Sequence, residues 1–186
     1  MTHERLRATV LASFIQGTYI MFTRRGYRCL LAASLLVAAP LAAQDDPVTA
    51  ELDAFWAEVS RTVAEGDFEG MVATYHPDGV WVSAVASRPA TRALRGMTAE
   101  AAEGAARTRA GEQAPRVEFR FSSRVHDSTT AHEVGMVRFS STRGGVVAED
   151  VYGLVDSYLV RKDGRWMILV EIQRWDMTKA EWDALR

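Results

Sequence analysis

Residues 65–78 decide the fold, and they read Glu-Gly-Asp-Phe-Glu-Gly-Met-Val-Ala-Thr-Tyr-His-Pro-Asp. Gly66 favours the end of a helix and Asp67 is a good N-cap, so this stretch predicts the junction between one helix and a second, short one. The buried side of the short helix is expected to consist of four residues at helical spacing: Phe68, Met71, Val72 and Tyr75. The sequence His-Pro-Asp-Gly over residues 76–79 predicts a turn, and residues 80–85 then predict a strand.

Upstream of this stretch, the sequence predicts one long amphipathic helix. Asp46 followed by Pro47 is typical of an N-cap and a first helical position. Six apolar residues then recur at helical spacing: Val48, Leu52, Phe55, Trp56, Val59 and Val63. A stripe of this width is expected to pack against the rest of the domain.

Downstream, residues 88–96 predict a loop, and Thr98 is placed to cap an alanine-rich third helix that reaches about Gly111. The hydrophobic period then changes from 3.6 to 2, which predicts strands. Four strands are expected, over residues 116–124, 130–141, 147–161 and 165–176.

The turns between these strands are short, and Asp163-Gly164 is the strongest hairpin signal in the chain. After the last strand, Thr178 and Glu181 predict a capping box at the start of a final short helix. Met177, just before this cap, is expected to contact Trp182.

The order of these elements resembles the nuclear transport factor 2-like superfamily, which includes SnoaL-like cyclases and ketosteroid isomerases. Two segments carry the resemblance: residues 65–78 are similar to its second-helix signature, and Tyr-Leu-Val-Arg-Lys-Asp-Gly-Arg-Trp-Met-Ile over residues 158–168 is similar to its final hairpin. The resemblance covers about residues 48–176 and implies an α+β fold. In that fold a curved antiparallel sheet wraps around N-terminal helices as a cystatin-like cone with a cavity. The fold hosts several reactions and also proteins without chemistry, so it leaves the function open.

Residues 1–43 are predicted to be a secretory signal peptide, which leaves residues 44–186 as a single mature domain. Arg24, Arg25 and Arg28 precede an apolar run over residues 30–43, which is shorter than the roughly 20 residues of a membrane-spanning helix. Met21 is a plausible true start, since the basic region before the apolar run is otherwise unusually long. The expected location is periplasmic or secreted, and the choice between general and twin-arginine export stays open.

The charge and the cysteine content of the chain argue against a nucleic-acid partner and against disulfides. Residues 44–186 hold 17 Lys and Arg against 23 Asp and Glu, a net charge of −6, which argues against a nucleic-acid partner. The single cysteine, Cys29, lies in the predicted signal peptide, so the mature chain is expected to have no disulfide. Histidines and acids show no metal-ligand spacing, and no metal or cofactor is predicted.

The resemblance provides a test for ketosteroid isomerase chemistry, which uses a carboxylate base on the first strand and a tyrosine on the first helix. Matching through Gly66 and Asp67 puts the base position at Ser83 and the tyrosine position at about Val59. Serine is not a base near neutral pH and valine donates no hydrogen bond, so this chemistry is not expected.

SnoaL-like cyclases instead carry their acid–base carboxylate on a late strand, which makes Asp156 and Glu171 weak catalytic candidates. Alternation puts Asp156 on the strand face of Asp150, Tyr152 and Tyr158. It predicts that Glu171 shares a face with Met167 and Leu169 and that Ile168 and Val170 lie on the other face. The alternative is that both carboxylates are solvated or paired with arginines.

Six aromatic residues are candidates for ligand contacts, because Tyr and Trp suit an apolar pocket with a few polar groups. They are Trp56, Tyr75, Trp81, Tyr152, Tyr158 and Trp175. For Trp56, a place in the hydrophobic core is the stronger alternative.

The preferred functional hypothesis is an exported protein that binds a small, partly apolar molecule, with catalysis uncertain. One alternative is a SnoaL-like isomerase or cyclase that uses a late-strand carboxylate for proton transfer. The other is an accessory or interaction domain whose own side chains fill the cavity. Apolar residues on both faces of the last strands further predict a homodimer.

Overall fold

The structure is a computed structural model that describes residues 46–83, 90–93 and 98–185. These residues belong to one compact unit, Ala42–Arg186. The predicted signal peptide, residues 1–43 with its alternative start at Met21, lies outside the described residues. No helix among the described residues is both long and apolar enough to cross a membrane.

The described residues form four helices and six strands. In chain order these are α1 (Pro47–Glu65), α2 (Phe68–Ala73), β1 (Tyr75–Ser83), β2 (Ala90–Ala93), α3 (Thr98–Arg109), β3 (Ala114–His126), β4 (Thr130–Arg143), β5 (Val146–Lys162), β6 (Arg165–Met177) and α4 (Lys179–Ala184). The strands make a single sheet in the order β2-β1-β6-β5-β4-β3. Neighbouring strands are antiparallel except β1 and β6, which are parallel.

One face of the sheet, called the inner face below, packs against α1. Leu52, Trp56 and Val59 of α1 form a buried cluster with Leu159 of β5 and Ile168 of β6, among others. The opposite, outer face is partly covered by α4, whose Trp182 packs with Met136 and Tyr152. The predicted apolar stripe of α1 therefore forms the main core of the domain.

The predicted caps of α1 and α2 and the predicted end of α1 are confirmed, whereas Thr98, predicted to cap α3, is the first residue of that helix. The Asp46 carboxylate accepts a hydrogen bond from the Val48 N–H at 3.0 Å, and the Asp67 carboxylate accepts one from the Gly70 N–H at 2.9 Å. Gly66 ends α1 in the left-handed conformation with φ of 66°, where a Cβ would also come within 2.5 Å of the Ala105 carbonyl oxygen on α3. The chain therefore requires glycine here both for the backbone angle and for close helix packing.

Two sequence predictions about residues 76–96 are wrong. The predicted turn at residues 76–79 is part of β1, where the ladder passes from the pair Tyr75–Ile168 to the pair Val80–Val170. The four intervening residues are absorbed as an irregularity of the strand rather than reversing the chain. The predicted loop of residues 88–96 contains β2, a four-residue edge strand paired with β1, whose alanine-rich sequence gives no strand signal.

Candidate functional site

Glu171 lies on the inner face of β6, and a β-bulge puts it there. β5 pairs Leu159 with Ile168 but the adjacent Tyr158 with Val170, so Leu169 is an extra residue on β6. The bulge reverses the alternation, and Ile168 and Glu171 therefore share a face. The prediction that they lie on opposite faces is wrong for this reason.

The Glu171 carboxylate is held by two hydrogen bonds in a dry environment. Its side chain is 2% exposed, the Tyr75 hydroxyl donates to one of its oxygens at 2.8 Å, and the Gln173 amide donates to the other. Burial raises the pKa of Glu171, and the two hydrogen bonds only partly oppose this effect. Burial and the adjacent carboxylate also raise the pKa of Tyr75 well above its usual range.

A second buried carboxylate, Glu133, lies two strands away in the same cross-strand row. Ser157 pairs with Glu133 on one side and with Glu171 on the other, and its buried hydroxyl has no partner within the described part of the chain. Glu133 is compensated, because it accepts hydrogen bonds from Arg124 and from the Trp56 indole N–H, the latter at 2.5 Å. Glu133 has no sequence signal of a functional site, since a glutamate in an alternating strand is normally expected to face solvent.

The other late-strand candidate, Asp156, lies on the outer face of the sheet. Its cross-strand neighbour there is Ile172, and its carboxylate lies 2.8 Å from Nε2 of His132. Asp156 is therefore a partly exposed residue within hydrogen-bond distance of a histidine, and it lies on the opposite face of the sheet from Glu133 and Glu171. The sequence alternative for Asp156 is solvation or pairing with an arginine, and the partner in the structure is instead His132.

The two positions compared with ketosteroid isomerases are both buried on the α1 side of the sheet. Ser83 is 8% exposed and pairs with Gln173 of β6, and Val59 is 5% exposed within the core. Neither position carries a base or a phenol, in agreement with the comparison made from the sequence.

The structure brings two of the six candidate aromatics to Glu171. Tyr75 donates its hydroxyl to the carboxylate, and half-buried Trp81 is the neighbour of Glu171 across the parallel β1–β6 ladder. Trp175 lies farther along β6, where its ring lies over Gly153.

The other three aromatics lie elsewhere. Trp56 is a core residue whose ring centroid lies 4.5 Å from that of Phe119. Tyr152 is buried on the outer face beneath Trp182 of α4. Tyr158 is 45% exposed on the outer face and stacks on His132 with ring centroids 4.2 Å apart.

A cavity lined by described residues has a volume of about 390 Å³. It lies between the C-terminal end of α1, α2 and α3 on one side and the ends of β3, β4 and β5 on the other. Its apolar wall includes Val63, Phe68, Met71, Ala101, Ala105 and Phe139, and its polar wall includes Thr62, Asp67, Arg107, Ser141, Arg143 and Glu149. Neither Glu171 nor any of the six candidate aromatics lines it.

The sequence contained part of the signal for this cavity. Phe68 and Met71 belong to the segment 65–78 that predicts the fold, where their spacing predicts a buried side of α2, and in the structure they line the cavity. The small residues of α3 leave room between that helix and the sheet, and composition alone does not show that the space stays open. No group of three or more potential metal ligands occurs among the described residues.

Comparison with solved structures assigns the fold. An NTF-2-like protein of unknown function from Shewanella oneidensis is 14% identical over 68% of this chain and 98% of its own, with a TM-score of 0.56. An NTF2-like protein with a cystatin-like fold from Novosphingobium aromaticivorans is 15% identical over 74% of this chain and 88% of its own, with a TM-score of 0.55. A protein from Catenulispora acidiphila, solved in complex with S-DNPA, is 23% identical over 70% of this chain and 94% of its own, with a TM-score of 0.54.

The chain therefore has the nuclear transport factor 2-like, cystatin-like α+β fold. This confirms the fold class that the sequence predicts. No protein-family model matches the chain, and no curated protein matches it.

Proposed function

We propose that this protein binds a small, partly apolar organic molecule in the cavity between α2, α3 and the sheet. The observation that carries this proposal is the cavity itself, with a volume of about 390 Å³ and a mainly apolar wall. A water molecule in the liquid takes up about 30 Å³, so the space is much larger than a void for a few waters. Its size lies within the range of small-molecule sites, roughly 300–1,000 Å³. A domain that fills its own cavity would lack such a space.

The carboxylates on the cavity wall favour binding over proton transfer. Asp67 accepts hydrogen bonds from Arg61 at 2.8 Å and from the Gly70 N–H, and these hold the pKa of Asp67 below its usual value. A carboxylate stabilised in its ionised form is a weak base. Glu149 is exposed. The related fold from Catenulispora acidiphila was solved in complex with S-DNPA, which is consistent with a binding role for this scaffold.

Two neighbouring alanines of α3 provide a matched test. Ala105 lines the cavity, whereas Ala106 is exposed and does not. We expect Ala105→Trp to reduce binding of the neutral fluorophore N-phenyl-1-naphthylamine at least tenfold, because the indole occupies the cavity. Ala106→Trp is expected to bind like the wild type. Equal binding by both variants, with both folded by circular dichroism, would refute the proposed site.

A second candidate function is proton transfer by Glu171, and the raised pKa of this buried carboxylate favours it. Burial that raises the pKa of a carboxyl group makes its carboxylate a stronger base, which favours proton transfer. Tyr75, hydrogen-bonded to the same carboxylate, would orient it. The substrate would be a carbonyl compound with an acidic α-hydrogen.

Hydrogen–deuterium exchange tests this second function directly. In D₂O, a panel of small ketones would be followed by ¹H NMR for loss of the α-proton signal. Glu171→Gln should abolish any enzyme-dependent exchange, and Asp156→Asn, on the outer face, should leave it unchanged. Exchange that persists in Glu171→Gln would exclude Glu171 as the base.

Export and dimerisation are further parts of the proposal. Export rests on residues 24–43, and mass spectrometry of the secreted protein is expected to find Gln44 as its first residue.

Dimerisation through the outer face is supported by the exposure of Val125 and Tyr158 there, at 65% and 45%. Light scattering should give twice the monomer mass for the wild type and the monomer mass for Val125→Glu. A monomeric wild type would refute dimerisation.

A further inference from the structure

We infer that the ligand of the α2–α3 cavity presents a hydrogen-bond acceptor oxygen, a carbonyl or an oxyanion such as a carboxylate, to Ser141 and Arg107. This inference rests on the proposed binding function and adds the chemical class of the ligand. Its starting point is that two polar atoms of cavity-lining residues are buried and have no hydrogen-bond partner within the described part of the chain: Oγ of Ser141 and Nε of Arg107.

Ser141 lies near the end of β4 on the inner face of the sheet. Its side chain is 7% exposed, and its cross-strand neighbours are Pro115 on β3 and Glu149 on β5. Proline has no side-chain hydrogen-bonding group, and no hydrogen bond joins Ser141 to the exposed Glu149. A buried hydroxyl without a partner costs about 1–3 kcal/mol, so a ligand that supplies a partner recovers part of this cost on binding.

Arg107 lies in the last turn of α3, on the opposite wall. Its Nη1 donates to Glu103 at 2.5 Å at the exposed end of the guanidinium, whereas Nε is buried and free of any acceptor. An arginine Nε–H is only a donor. A ligand atom that satisfies it must therefore be an acceptor, and the same atom type also satisfies the Ser141 hydroxyl as a donor.

The remaining hydroxyls and amides of the polar wall are already used within the protein. The Thr62 hydroxyl donates to the Val59 carbonyl at 2.8 Å, and the Thr108 hydroxyl donates to the Gly104 carbonyl at 3.0 Å. Of the two acids, Asp67 is paired with Arg61, and Glu149 is exposed at the rim. The buried polar groups left unused are therefore the Arg107 Nε–H, which only donates, and the Ser141 hydroxyl, which can donate, and an apolar molecule with an acceptor oxygen satisfies both.

Three fluorophores of similar size separate the acceptor from the apolar body. N-phenyl-1-naphthylamine has no acceptor oxygen, 6-propionyl-2-dimethylaminonaphthalene has a ketone, and 1-anilinonaphthalene-8-sulfonate has an oxyanion. We expect Ser141→Ala and Arg107→Met to weaken binding of an oxygen-bearing probe about three- to tenfold, the equivalent of one hydrogen bond, while the oxygen-free probe is unaffected. Arg109→Met, an exposed change on α3 outside the cavity wall, should affect none of the probes.

If the two variants lose affinity only for the sulfonate probe, the ligand is an oxyanion. If they lose affinity for both the sulfonate and the ketone probe, any acceptor oxygen is accepted. An equal loss for all three probes, or no loss for any, would overturn the inference while leaving the binding function in place. If no probe binds the wild type, the proposed function fails, and the inference fails with it.

Ser141→Ala also has a stability readout that binding does not influence. Because the hydroxyl has no partner in the folded protein, its removal is expected to leave the ligand-free protein as stable as the wild type or more stable. A clear loss of stability would show that the hydroxyl has a structural partner, and Ser141 would then be excluded from the inferred ligand contact.

Discussion

Replacing Tyr75 by phenylalanine tests the buried carboxylate site most sharply, because it removes one hydroxyl and keeps the ring. That hydroxyl donates to the Glu171 carboxylate at 2.8 Å, and the carboxylate is 2% exposed, so water cannot readily replace the lost donor. Hydrogen bonds to charged groups contribute about 1.5–3 kcal/mol, and hydrogen bonds between neutral groups about 1 kcal/mol. The cost of Tyr75→Phe therefore depends on the ionisation of Glu171.

The pH dependence follows from the direction of the Glu171 pKa shift. Since burial raises the pKa of the folded carboxyl above that of the unfolded chain, stability falls as pH rises between these two values. Tyr75→Phe removes a stabilising donor and raises the folded pKa further, so the fall in stability continues to a higher pH. We expect the loss to be larger at pH 8 than at pH 5, because the hydrogen bond contributes about 1 kcal/mol when Glu171 is protonated and about 1.5–3 kcal/mol when it is ionised.

Urea unfolding at pH 5 and pH 8 measures both values, and Tyr158→Phe is the matched control. Tyr158 is 45% exposed on the outer face, and its hydroxyl takes part in none of the side-chain hydrogen bonds of the described residues. Its replacement should change the free energy of unfolding by less than about 0.5 kcal/mol at either pH. A Tyr75→Phe cost that is the same at both pH values, or no larger than that of the control, would refute the account of Glu171.

Two further predictions concern the framework around the sites. Gly135→Ala should destabilise the protein by about 1–3 kcal/mol in urea unfolding, because a Cβ there would come within 2.1 Å of the backbone of β3; Gly111→Ala, which meets no atom and only strains a positive φ of 73°, should cost less. The pKa of Asp127 should be about 2 by NMR titration, since the Thr129 hydroxyl and the N–H groups of Thr129 and Thr130 donate to it. The stability that Asp127 contributes is then present above its unfolded pKa and is lost as pH falls toward 2, and Thr129→Val should raise this pKa more than Thr130→Val does.

Features set by neighbouring residues in the sequence were predictable. The caps at Asp46, Asp67 and Thr178 and the left-handed Gly66 depend on a few adjacent residues, and each forms as expected. The hydrophobic stripe of α1 likewise determines which of its sides is buried. These signals, with the strand periodicity, were sufficient for the fold class.

Features that depend on pairing between distant strands were not predictable. The bulge at Leu169, which puts Glu171 on the face of Ile168, arises from the register of β6 against β5 and has no local signal. The burial of Glu133 depends on Trp56, which is distant in the sequence, and on Arg124, which lies on the other strand of the β3–β4 hairpin. The unpaired hydroxyl of Ser141 becomes visible only when the walls of the cavity are assembled.

NMR mapping locates a small molecule bound between α2, α3 and the end of β4 at the level of single residues. Uniformly ¹⁵N-labelled protein would be titrated with N-phenyl-1-naphthylamine while the backbone amide shifts are followed. We expect the largest shifts to cluster around Phe68, Met71, Ala105 and Ser141 and Ala105→Trp to abolish them. Shifts that cluster instead on the outer face around His132 and Tyr158, and that persist in Ala105→Trp, would contradict binding in this cavity.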